Sequence, residues 1–79
     1  MRPVLTLYHR PNCHLCDQML AEIRTLYADS LEIQLVDVES DESLHERYWL
    51  KIPVLAAGER EICYGHLNRD SLEAYLTSN

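Results

Sequence analysis

Two cysteines separated by two residues, Cys13 and Cys16, stand where an apolar, β-prone run ends and a helical pattern begins. The run is Val4-Leu5-Thr6-Leu7-Tyr8-His9. Arg10-Pro11-Asn12 breaks it, and from His14 onward the apolar residues recur at helical spacing. On a loop, a Cys-x-x-Cys pair can supply half of a zinc site. At the start of a helix it has a second use. The first turn leaves backbone N–H groups without helical partners and carries the positive end of the helix dipole, and both stabilise a thiolate on the first cysteine. Cys16 lies about one turn further on, within reach of a disulfide with Cys13. The pair reads as a reversible dithiol/disulfide.

The rest of the chain parses around that junction. The first run is apolar on both alternating faces, as in a strand covered on both sides at the centre of a sheet. The following helix is expected over residues 14–28, with Met19, Leu20, Ile23, Leu26 and Tyr27 on its buried face. Asp29-Ser30 turns the chain into a second strand over residues 31–38. There Leu31, Ile33 and Leu35 alternate with Glu32 and Gln34, which predicts an edge strand. Strand, helix and strand in so short a span make a right-handed crossover with parallel strands.

Ser40 is the expected N-cap of a short helix that has Asp41 and Glu42 in its first turn, runs to Leu50 and turns Leu44 and Tyr48 inward. Pro53 cannot continue that helix. Val54–Ala57 and Arg60–Tyr64 flank Gly58-Glu59, a connection that suits a type II′ hairpin turn. Asn68 caps a last helix, with Leu67 and Leu72 as its hydrophobic staple and Leu72, Tyr75 and Leu76 as its buried stripe. The order β-α-β-α-β-β-α describes an α/β fold: a parallel pair and an antiparallel hairpin in one four-stranded mixed sheet, with helices on both faces.

The 79 residues are read as one domain, 1–79, and with 47% hydrophobic residues they can form a compact core. A net charge of −6 argues against a nucleic-acid or anionic-membrane surface, both of which require clustered Lys and Arg. Met1-Arg2-Pro3 is followed only by Val4-Leu5 before Thr6, too short for a signal-peptide core or a membrane span. Three cysteines are an odd number, unlike the even framework of a small secreted fold. The expected compartment is therefore the reducing cytoplasm, where a Cys-x-x-Cys does redox work or binds metal.

The stretch from Leu7 to Cys16 resembles the active-site segment of glutaredoxins, Val36-Asp37-Val38 resembles their second strand, and Lys51-Ile52-Pro53-Val54-Leu55 is similar to the segment that carries their cis-proline. The resemblance extends over nearly the whole chain and is closest to small bacterial glutaredoxin-like proteins. It implies a thioredoxin-like sheet in the order 2-1-3-4, with the Ile52-Pro53 bond in cis beside Cys13. It also implies an enzyme, a thiol–disulfide oxidoreductase, in which Cys13 attacks as a thiolate and Cys16 resolves the mixed disulfide.

The expected partners are disulfide-containing proteins or glutathione mixed disulfides. The protein is expected to be a monomer with no bound cofactor and no metal, and glutathione is a candidate co-substrate, expected to bind more weakly than to a typical glutaredoxin. The binding candidates are Arg10 for a carboxylate, His14 for its charge beside the thiolate, the Ile52 backbone and Pro53 for pairing with substrate backbone, and Gly65. The chain departs from the family at three places. It has His14-Leu15 between the cysteines instead of Pro-Tyr, Gly65-His66-Leu67-Asn68 instead of paired glycines and an acid, and Trp49 where a glycine commonly ends the second helix.

Two other readings use the same residues. Cys13 and Cys16 form half of a zinc site, completed by Cys63 or a histidine, or hold an iron–sulfur cluster between two chains. Alternatively, the chain is a thioredoxin-like adaptor without redox activity. No second Cys-x-x-Cys or His-x-His pair accompanies the first. Cys63 is expected to pack in the core as a small hydrophobe. His9, His45 and His66 are too scattered along the chain to assign to one site.

Overall fold

Strand β1 (Val4–His9) lies inside a sheet of order β2-β1-β3-β4, paired in parallel with β2 (Glu32–Asp37) and antiparallel with β3 (Val54–Ala57). Strand β4 (Arg60–Tyr64) closes the hairpin. Helices α1 (His14–Leu26), α2 (Glu42–Tyr48) and α3 (Arg69–Thr77) complete the element order. The computed structural model describes residues 2–78.

The alternation of β1 divides the interior. Leu5 and Leu7 point to one face, where they meet Leu55 of β3, Met19 and Ile23 of α1 and Leu72 of α3. Tyr8 points to the other, against Val38, Tyr48 and Val54. Helices α1 and α3 thus cover one face and α2 the other. Each fully buried large aliphatic side chain contributes roughly 1.5–3 kcal/mol, so the face under α1 and α3 supplies most of the hydrophobic stabilisation.

Local structure departs from the sequence expectations in several places. Ser40 is not the cap of α2. Residues Val38–Ser40 first form a 3-10 turn, in which the Asp37 carboxylate accepts the Glu39 N–H at 2.8 Å and the Ser40 hydroxyl donates to the Asp37 carbonyl at 2.6 Å. With Ser40 engaged there, Asp41 caps α2 and accepts from Ser43 N at 2.8 Å and Leu44 N at 3.2 Å. The helix ends at Tyr48, not Leu50, because the N–H groups of Lys51 and Ile52 both turn back to the Tyr48 carbonyl, at 2.7 and 3.1 Å.

Leu26 is exposed instead of buried. The inward stripe of α1 runs through Cys16, Met19, Ile23 and Tyr27, which leaves Leu26 in an open groove between the ends of α1 and α3. Leu35 is also exposed, because β2 is an outer strand with a neighbour on one side only.

Other expectations hold. Gly58 adopts φ +60, as the first central residue of a type II′ turn requires, whereas Glu59 stays at negative φ. Asn68 caps α3, its Oδ1 accepting from Ser71 N at 3.0 Å, and Leu67 packs on the cluster that holds Leu72. Among the described residues, no helix is long and apolar enough to cross a membrane.

The hairpin contains a feature the sequence does not announce. Ala56 pairs with Glu61 but Leu55 pairs with Cys63, so Ile62 is an extra residue that forms a bulge in β4. Val54 then pairs with Tyr64.

Candidate redox site

The first helix begins where β1 has just left the sheet. Asn12 has φ +59, the one left-handed non-glycine among the described residues, and it reverses the chain so that Cys13 stands in extended geometry at the N-cap of α1. Asparagine tolerates that geometry better than most side chains. Cys13 then acts as a sulfur cap: its Sγ accepts the Cys16 N–H at 3.1 Å, and its carbonyl accepts the Asp17 N–H at 3.1 Å. Cys13 and Cys16 are joined by a disulfide, with their Cα atoms 5.2 Å apart. Cys16 belongs to the inward stripe of α1. Both cysteines are buried in this oxidised form, Cys13 at 8% exposure and Cys16 at 3%. Cys13 is the more accessible of the two.

The remaining candidates have varied surroundings. Arg10 is exposed on the loop before Pro11, and His14 is exposed as the first residue of α1. The Ile52-Pro53 bond is cis, and Pro53 is buried. Pro53 precedes Val54, whose partner on β1 is Tyr8, so Pro53 and the loop leading to Cys13 lie at the same end of the sheet. Gly65, at φ +78, donates its N–H to the Pro53 carbonyl at 2.8 Å and so ties the segment after β4 to the proline. The Ile52 N–H donates to the Tyr48 carbonyl at 3.1 Å.

Three arrangements were not legible in the sequence. His66 shares a small cleft with Gly65 and with Leu15, Gln18 and Glu22 on the first turns of α1, so one histidine that looked remote lies close to the dithiol helix. The Gly65 turn into the Asn68 cap was the available signal. Tyr8 stacks on Tyr48 with ring centroids 4.4 Å apart, which pins α2 to the centre of the sheet, and burial raises the Tyr48 phenol above its ordinary value. Lys51, in the loop before Pro53, pairs with Glu61 and lies over the Tyr64 ring, 4.8 Å from its centroid.

Cys63 is half-buried and packs against the larger core cluster. Burial pushes its thiol up, partly offset by a backbone hydrogen bond from Asn68. No three His, Cys, Asp or Glu side chains converge in a metal-binding arrangement among the described residues.

A four-stranded sheet of this order, with a Cys-x-x-Cys pair at the start of the first helix and a proline segment leading into the third strand, defines the thioredoxin-like fold. Thioredoxin 1 from Thermosipho africanus TCF52B shares that fold at 21% identity and a TM-score of 0.60, over 95% of this chain and 96% of that one. The family model of the glutaredoxin-like domain (DUF836) matches residues 4–77, and the chain belongs to that family. Two solved structures are similar in both sequence and shape. A Nitrosomonas europaea protein determined by solution NMR is 31% identical, covers 95% of this chain and 92% of its own, and superposes with a TM-score of 0.84. An X-ray structure of a protein from X. campestris is 32% identical over 95% of this chain and 97% of its own, with a TM-score of 0.70.

Proposed function

We propose that this chain is a thiol–disulfide oxidoreductase that reduces disulfides of proteins or mixed disulfides with glutathione. The observation that carries the reading is the sulfur cap, in which the Cys16 N–H points at Cys13 Sγ at 3.1 Å within a pair already at disulfide distance. In the reduced protein the same N–H and the helix N-terminus favour negative charge on Cys13. The Cys13 thiolate attacks one sulfur of the substrate disulfide, forms a mixed disulfide and expels the other sulfur as a thiolate, which takes up a proton. Cys16 then gives up its proton and attacks Cys13 Sγ, closing the intramolecular disulfide and releasing the second substrate thiolate. Two electrons pass from the dithiol to the substrate, and an external thiol or a reductase restores the dithiol.

Glutathione is read as a weak partner. The loop after β4 keeps a single glycine in place of paired glycines and an acid, which leaves Arg10 and the Ile52 backbone as the main remaining contacts. His14 beside Cys13 adds positive charge when protonated.

The test uses single cysteine variants. Cys16→Ser should keep the nucleophile and accumulate mixed disulfides, read by intact mass after exposure to oxidised glutathione. Cys13→Ser should form few adducts and show no turnover of insulin disulfides. Preferential alkylation of Cys16 by limiting iodoacetamide, or full turnover by Cys13→Ser, would overturn the reading. Zinc or iron retained stoichiometrically by unheated protein would favour the metal-binding alternative instead.

A further inference from the structure

The segment linking α2 to β3, residues 49–53, is short and lies at the end of the sheet that carries the dithiol. It is tied on both sides. Toward α2, the Lys51 and Ile52 N–H groups share the Tyr48 carbonyl. Toward β4, the Gly65 N–H meets the Pro53 carbonyl, and the Lys51 ammonium reaches the Glu61 carboxylate while lying over the Tyr64 ring.

The two β4 partners are brought together by the bulge. In a regular strand, residues three apart face opposite sides of the sheet. With Ile62 as the extra residue, Glu61 pairs with Ala56 and Tyr64 with Val54, so both lie on the face covered by α2, where Lys51 meets them. Lys51 and Glu61 are both about one-third exposed or less, at 35% and 28% of their side chains. A pair this shielded, with the ring beneath the cation, is worth more than an open surface ion pair.

We infer that Lys51 is a positioning residue: through Glu61 and Tyr64 it clamps the 49–53 segment to β4 and fixes where Ile52 and Pro53 meet an incoming polypeptide disulfide. The inference rests on the oxidoreductase reading for its functional consequence but not for the clamp itself. Neither Lys51 nor Glu61 touches the cysteines' sulfurs in this role. Loss of the clamp therefore weakens docking of a large substrate and leaves the reactivity of Cys13 toward a small reagent unchanged.

Lys51→Met retains the aliphatic stem and removes the charge, and Glu61→Gln removes the other charge with little change of shape. Each should raise KM for insulin disulfides about five- to tenfold with kcat nearly unchanged, while iodoacetamide alkylates Cys13 in a Cys16→Ser background at the parent rate. Lys51→Arg should restore KM. The amides of Ile52 and Gly65 should exchange with solvent several-fold faster in both charge-loss variants, a readout that requires no activity.

An unchanged KM and unchanged amide exchange in both variants would overturn the inference. So would a matching fall in Cys13 alkylation, which would mean general disruption of the site. If the unmodified protein reduces no disulfide at all, the oxidoreductase reading fails, and amide exchange still decides whether the clamp exists.

Discussion

Under α1 and α3 the sheet buries Leu5, Leu7, Met19, Ile23, Tyr27, Leu31, Leu55 and Leu72 in one cluster, whereas under α2 it buries Val38, Tyr48 and Val54. The first face is held by continuous aliphatic packing. The second relies on one aromatic stack and on polar ties: the Asp37 and Asp41 caps, the doubly used Tyr48 carbonyl and the Lys51–Glu61 pair. The cysteine pair and the proline segment are divided between the faces. The dithiol rides on α1, whose inward stripe locks Cys16 into the thick side, and the proline segment hangs from the thin side. Placement of the sulfurs by packing and placement of the proline segment by individual tethers are therefore supplied by different kinds of interaction.

Truncating the thick face should have the largest effect. Leu7→Ala leaves a cavity between β1 and both large helices and should cost about 3 kcal/mol in urea unfolding. Tyr48→Leu on the thin face should cost about 1–1.5 kcal/mol beyond its change in buried area, through loss of the stack on Tyr8. A larger loss from Tyr48→Leu than from Leu7→Ala would reverse the comparison.

The caps come next. Asp41→Ala and Asn68→Ala should each cost about 1 kcal/mol. Fraying of α2 in the former should quicken amide exchange at Ser43 and Leu44, while α3 stays protected by its packing on the core.

The smallest effect separates the faces by pH. Burial raises the Cys63 thiol on the thick face and the Tyr48 phenol on the thin face, from ordinary values of 9.0 and 10.0. In each case the unfolded chain gives up the proton first, so stability is fully present below the ordinary value and is lost as pH rises through it toward the folded value. Urea midpoints should begin to fall above about pH 9 through Cys63 and more steeply above about pH 10 through Tyr48. Cys63→Ala should flatten only the first part and Tyr48→Phe only the second. Identical pH profiles for both variants and the parent would show that neither group contributes.

Most of the architecture was legible because it is written in short-range patterns. The two-sided apolar run of β1, the helical period after His14, the Pro53 break and the Gly58-Glu59 turn each act within a few residues, and the sheet order followed from the resemblance they support. The dithiol was legible for the same reason. What escaped was set by events between segments. Ser40 looks like a cap until Asp37 claims it for the preceding turn. The inserted Ile62 could not be anticipated from local pattern, and without it the hairpin turn would place Cys63 opposite Val54 on the thin face. With it, Cys63 joins the thick core, and Glu61 and Tyr64 come together under Lys51. The proximity of His66 to α1 depends on the Gly65 turn and the Pro53 hydrogen bond, both of which are tertiary.

The left-handed backbone at Asn12 sets a rule of inheritance for the loop before Cys13. A left-handed conformation costs an ordinary L-residue roughly 1–2 kcal/mol and spares glycine, with asparagine and aspartate in between. Descendants of this sequence, natural or made in a library, are thus filtered at position 12 first by handedness. Arg10 and His14 are free to drift in chemistry around it. A valine or isoleucine at position 12 would change the direction in which the chain delivers its first sulfur, without altering either cysteine.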